Sequence, residues 1–189
     1  GTNTMTELNS LCNATGFIPD VPGLHGITTS HETIVNDLKL KDQGGILSQK
    51  GVVEYAFGMA PGVFALVTSD NEEIRGLMKY LGLGDGPNFL LYKPYHLTSM
   101  EAPITIYEAL VHKEPSIAPI MGQVADAVTI AKRDLVKGES LKGIGRDTIY
   151  GQIVLHETQK ENGYVPIALI NEAAKAKVDI KKGDYLTWD

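Results

Sequence analysis

The densest polar cluster in the sequence runs Gly84-Asp85-Gly86-Pro87, through an apolar Phe89–Tyr92 stretch, to Lys93-Pro94-Tyr95-His96-Leu97. A buried strand that ends in Lys, Tyr and His presents three functional groups at one sheet edge. Lys93 can hold an anion, while Tyr95 or His96 can donate or accept a proton near neutral pH. Pro94 stiffens that presentation. The plainer alternative is a surface turn with a packed tyrosine and a capping histidine, and the residues alone weigh slightly toward it. His25, with Gly23 and Gly26 nearby, sits in a context that suits close ligand approach. Asp20 and Glu54 join it if the fold brings them together, although a lone histidine is more often a hydrogen-bonded structural residue. His31, His112 and His156 show no metal-ligand spacing such as H-x-x-x-H, so no metal is expected.

Nucleotide chemistry leaves no local mark. No G-x-G-x-x-G opens a helix after a strand, and no phosphate loop of the G-x-x-x-x-G-K-[ST] form occurs. Gly82-Leu83-Gly84-Asp85-Gly86 is glycine-rich, but Pro87 and a strand follow it, so no helix N-terminus is available for phosphate. These 189 residues alone are therefore not expected to bind a dinucleotide in the usual manner.

The elements that must position these groups fall into two stretches. Met5, Leu8, Leu11 and Cys12 suggest one face of an N-terminal helix stopped by Gly16. Either the rest of the chain buries that face or an upstream domain does. Thr29-x-x-Glu32 has capping-box form ahead of a short helix with Ile34, Val35 and Leu38. The segments 51–57, 62–68 and 88–92 read as strands of one sheet. Between the last two lies a helix capped by Asp70 and Glu73, with Ile74, Leu77 and Met78 inward. Ile104–His112 reads as a final helix with Pro103 in its first turn. Residues 1–119 are thus expected to form an α+β domain. Lys113–Pro119 reads as a linker, and residues 120–189 as mostly short strands and turns.

The last third repeats itself. Ala131-Lys132-Arg133-Asp134-Leu135-Val136-Lys137-Gly138-Glu139-Ser140-Leu141 returns 45 residues later as Ala176-Lys177-Val178-Asp179-Ile180-Lys181-Lys182-Gly183-Asp184-Tyr185-Leu186, with six of eleven positions identical. Two copies are too few for an open solenoid. Each is short of core, which predicts packing about a pseudo-twofold axis, with both glycines at corners of positive φ.

A net charge of −6 argues against a general nucleic-acid surface. No apolar run is long enough to span a bilayer. Lone Cys12 cannot form an internal disulfide, and no export signal opens the chain, so a cytoplasmic setting is expected. For the same reason Asn13-Ala14-Thr15 reads as a chance glycosylation triplet.

The repeat, with Ala127–Leu135 and Lys137-Gly138-Glu139, resembles the SAF domain, a β-clip module of sialic acid synthases, antifreeze-like proteins and flagellar assembly chaperones. Asp20-Val21-Pro22-Gly23-Leu24-His25-Gly26, Gly84-Asp85-Gly86-Pro87 and Tyr92-Lys93-Pro94-Tyr95-His96-Leu97 resemble the C-terminal half of homoserine-dehydrogenase-like oxidoreductases. That family includes the deoxyxylulose-phosphate-reductoisomerase-like enzymes. The resemblance implies a catalytic or dimerisation domain followed by an SAF domain, with an NAD(P)-binding Rossmann domain upstream and no cofactor held by this part alone. It implies a small hydroxylated or phosphorylated substrate and at least a homodimer. Lys93 is then expected to bind a substrate anion, and Tyr95 or His96 to transfer the proton. His25 and Asp85 should converge with them, Asp85 orienting a base or binding a substrate hydroxyl. The competing expectation is a non-catalytic carbohydrate-binding or assembly module.

Overall fold

A computed structural model describes residues 1–95 and 98–188. The architecture is α+β. Two compact units share the chain: one holds Gly1–Gly26, Gly51–Tyr55 and Ile117–Asp189, the other Ile27–Lys50 and Ala56–Ser116. The last crossing, between Ser116 and Ile117, lies inside the Lys113–Pro119 stretch.

In the first unit the N-terminal helix α1, Thr2–Thr15, ends at Gly16 in the left-handed conformation. The rest of the chain buries its apolar face. Met5 and Cys12 pack with Leu24, Val53, Ala125 and Ile153. Leu11 is exposed. At 100° per residue it lies well off the stripe that Met5 and Cys12 share. Asn13 is structural: its Oδ1 accepts from Val124 N at 2.7 Å and Ala125 N at 3.0 Å. Strand β1, Ile18–Pro19, pairs in parallel with Val52–Val53.

The second unit begins with β2, Ile27–Thr28, parallel to Ala56–Phe57. Segment 51–57 is therefore not one strand and does not join the sheet of 62–68 and 88–92. It is split into β3, Val52–Val53, and β4, Ala56–Phe57, with one piece in each unit. Helix α2 is only Ile34–Asp37, and the capping box is not formed. Thr29 Oγ1 instead donates to Asp37 at 2.6 Å, and Ser30 Oγ donates to Glu32 at 2.6 Å. Strand β5, Val63–Thr68, pairs antiparallel with β6, Asn88–Lys93, in the register Val63↔Lys93 to Thr68↔Asn88. Phe64, Leu66, Leu90 and Tyr92 pack with Ile34 and Leu38 as this unit's core.

Helix α3, Glu72–Tyr80, lies between those strands and is capped by Asn71 Oδ1, which accepts from Glu73 N and Ile74 N, rather than by Asp70 and Glu73. Its apolar stripe is not inward, since Ile74 is 44% and Leu77 56% exposed. Helix α4 begins earlier than Ile104, at Thr98, and runs to Tyr107, so Pro103 is in its interior. It continues as a π-turn over Glu108–His112.

Back in the first unit, β7, Ala125–Ala131, pairs antiparallel with β8, Ile149–Leu155. A short helix α5, His156–Asn162, follows, in a region expected to hold mostly short strands and turns. Its sequence is polar throughout and carries no apolar periodicity.

The repeats obey a twofold relation in their hydrogen bonds. Leu135 and Ile180 exchange both backbone bonds at 2.9 Å. Gly138 N→Ala176 O at 2.8 Å is matched by Gly183 N→Ala131 O at 2.9 Å. Asp179 accepts from Lys137 N as Asp134 accepts from Lys182 N, at 2.8 and 2.9 Å. Gly138 and Gly183 have φ of 86° and 90°, the corner conformation that only glycine adopts without strain. The equivalent pairs Ala131/Ala176, Leu135/Ile180 and Leu141/Leu186 fill a single core. Ala127, Ile149, Val165 and Ile167, outside the two arms, complete it.

Candidate functional site

His25 is held by a loop of the first unit. Pro22-Gly23 is the order a type II turn requires, with Leu24 N donating to Val21 O at 3.0 Å and Gly23 at φ 77°. Gly23 N is tied to Ile153 O of β8 at 2.8 Å. Leu24 also has a positive φ, 67°, which costs a branched side chain on the order of 1–2 kcal/mol. Its burial among Met5, Cys12 and Val53 holds it there. Strain of this kind concentrates where surrounding structure fixes a functional neighbour.

That neighbour is the His25 imidazole. Its Nδ1 lies 2.6 Å from Glu54 Oε1. The same carboxylate accepts the backbone N–H of His25 at 3.1 Å and of Gly26 at 3.4 Å. A carboxylate accepts only, so Nδ1 carries the proton of this bond, and Nε2 is left for chemistry. Asp20 Oδ2 stands 3.7 Å from Nε2. The Asp20 and Glu54 side chains are 1% and 4% exposed, whereas the imidazole is partly open to solvent. A partly exposed histidine oriented by a buried carboxylate is suited to carry a proton to or from a bound molecule. Among the described residues, no group of three His, Cys, Asp or Glu is arranged to hold a metal ion.

The strand-end residues belong to the second unit. Lys93 closes β6, and its ammonium pairs with Glu101 of α4 and lies 5.2 Å from the centre of the Tyr95 ring. An anion at Lys93 would share that ammonium with Glu101. His96 lies outside the described residues. Asp85 is paired with Lys79 at 2.7 Å, and this neighbour holds its carboxyl below the usual range. Asp85 lies in the turn before β6, and Lys93 ends that strand. Gly82–Gly86 leads into β6, not into a helix, so these residues do not fit a dinucleotide phosphate.

Compared with models of known protein families, residues 1–102 match the one described as oxidoreductase DRL, catalytic domain. The chain belongs to that family. No curated protein matches it. The matched residues of the DRL catalytic domain include Asp20, His25, Glu54, Asp85, Lys93, Tyr95 and His96. The hydrogen-bonded pairs themselves were beyond sequence reasoning. Glu54 is 29 residues from His25, and Glu101 gave no signal at all. A second pair, His156 Nδ1 with Asp126 at 2.5 Å, lies beyond the matched residues. It sits where His156 N bonds Val124 O at the start of α5, which suits a structural role. Among the described residues, no helix is long and apolar enough to cross a membrane.

Proposed function

We propose that this DRL catalytic domain supplies the substrate side of an NAD(P)-dependent oxidoreductase acting on a small hydroxylated or phosphorylated metabolite. The observation that carries the reading is the His25–Glu54 hydrogen bond inside the family-matched residues. Redox chemistry requires a proton to be gained or lost at the substrate oxygen, and His25 Nε2 is the group for that transfer, with Glu54 fixing the ring. The resemblance assigns substrate anion binding to Lys93 and offers Tyr95 or His96 as the alternative to His25 for the proton. The nicotinamide cofactor is assigned to a separate Rossmann domain of the homoserine-dehydrogenase-like kind, because Gly82–Gly86 opens a strand. Residues 120–189 are assigned to an SAF-like β-clip, supported by the twofold hydrogen-bond pattern.

Titrating NADPH into this chain, and into a protein in which it is joined to a nucleotide-binding domain, tests the reading. Binding and turnover in the joined protein alone are expected. Binding by neither protein would favour a non-catalytic module.

A further inference from the structure

The two arms of the clip are alike where their shared core needs them and unlike at one end. Glu139 accepts from Val136 N as Asp184 accepts from Lys181 N, both at 3.1 Å. Arg133, however, stands where the second arm has Val178. Its guanidinium bridges Glu139 at 2.6 Å and Asp147 at 3.2 Å. Residues 140–147, leaving the first arm, border a hollow of about 480 Å³ lined by Ser140, Lys142, Arg146, Asp147 and Glu172. Features that only one arm carries are not required by the twofold core, which leaves them open to a second use.

This loop is held in shape at several points. Lys142 has a positive φ of 57°, a conformation that persists only where the surroundings impose it. Ser140 Oγ accepts the Lys142 N–H at 3.3 Å, and the buried Thr148 donates its hydroxyl to Leu141 O. Lys132 Nζ donates to Arg146 O and ties down the other end. Between them Ile144, of negative φ, is flanked by Gly143 and Gly145 at 78° and 83°. Such alternation turns successive backbone N–H groups toward one concavity, an anion-binding arrangement. Among the described residues no protein group accepts from the N–H of Ile144, Gly145 or Arg146. The charges agree. Lys132, Arg133, Lys142 and Arg146 outnumber Glu139, Asp147 and Glu172, in a chain of net charge −6. Asp147 is already engaged, because Lys142 at 2.9 Å, its own backbone N–H and Arg133 draw its carboxyl down to about 2. Arg146 is less committed, since Glu172 stands 3.8 Å away with its side chain 83% exposed.

We propose that this loop binds a phosphate group, free or as a phosphomonoester, on the N–H groups of Ile144, Gly145 and Arg146, with the Arg146 guanidinium and the Lys142 ammonium beside it. A tetrahedral oxyanion has acceptor oxygens for all of these donors, whereas a carboxylate has only its pair. The site shares no residue with the His25–Glu54 pair and does not depend on the oxidoreductase reading. The test is an NMR titration of the chain with inorganic phosphate, glycerol 3-phosphate and acetate at constant ionic strength. Phosphate should give saturable amide shifts at Ile144, Gly145 and Arg146, and acetate should not. Shifts from glycerol 3-phosphate at the same amides mark a phosphomonoester site, and shifts from inorganic phosphate alone mark a site for the free ion; both uphold the proposal. Arg146→Gln, with unaltered thermal unfolding, should weaken binding about tenfold. Lys181→Gln on the opposite arm should leave it unchanged. If Arg146→Gln unfolds, Gly145→Ala decides: its Cβ meets no atom within 4 Å, but it opposes the positive φ and should weaken binding. Shifts that are absent with both phosphates or map elsewhere would overturn the proposal. So would wild-type affinity in the deciding variant, an equal loss in Lys181→Gln, or acetate acting at the same amides.

Discussion

Glu54 binds the His25 ring and two backbone N–H groups at once, so its replacement tests positioning. Glu54→Gln brings an amide N–H against groups that already donate. Stability should fall by about 1–3 kcal/mol in urea unfolding. An unchanged midpoint would mean that the pair is not formed. Cys12 gives a second residue-level prediction. Burial pushes its thiol up from 9.0 to about 11. Its folded value is raised, so the stability gained by keeping it neutral is complete below pH 9 and is lost as pH rises toward 11. The wild type minus Cys12→Ala difference in unfolding free energy should shrink over that window, and a flat difference would contradict the burial. At this scale the sequence was legible only in part. The residue types at 20, 25 and 54 were readable as candidates, but which carboxylate takes Nδ1 depends on a loop–strand approach that spacing does not encode.

Elements with strong periodicity or strong punctuation were legible. Helix α1 with its Gly16 stop, the antiparallel strands β5 and β6 and the repeat all show this. Failures came where tertiary partners overrode local pattern. Val52–Phe57 is an unbroken β-prone run, yet its halves pair with β1 and β2 separately. Helix α5 has no apolar face to detect. The twofold clip makes a quantitative prediction, because Leu135 is 1% exposed in the shared core. Leu135→Ala should cost about 2–5 kcal/mol, measured by chemical denaturation. A loss below about 1 kcal/mol would mean that the arms do not share a core. Asn13→Ala strips the acceptor from Val124 N and Ala125 N, and should cost about 1–3 kcal/mol in the same assay.

For the whole molecule, apolar side chains exposed on the second unit bear on association. Val63, Leu91, Ile74, Leu77 and Ile104 are all exposed. Apolar side chains gathered into one contiguous patch mark an interaction site. Sedimentation equilibrium should show a dimer or larger, and a persistent 20.5 kDa monomer at high concentration would count against it. The chain's division into two units was less legible than either fold, because residues 51–55 return to the first unit without any break in composition. The central claim concerns His25, and turnover tests it most directly. In the protein joined to a nucleotide-binding domain, His25→Gln should lower kcat for NAD(P)H-dependent reduction about 10²–10⁴-fold, with cofactor affinity and unfolding midpoint unchanged. Wild-type turnover in that variant would contradict the assignment and return His25 to a structural role.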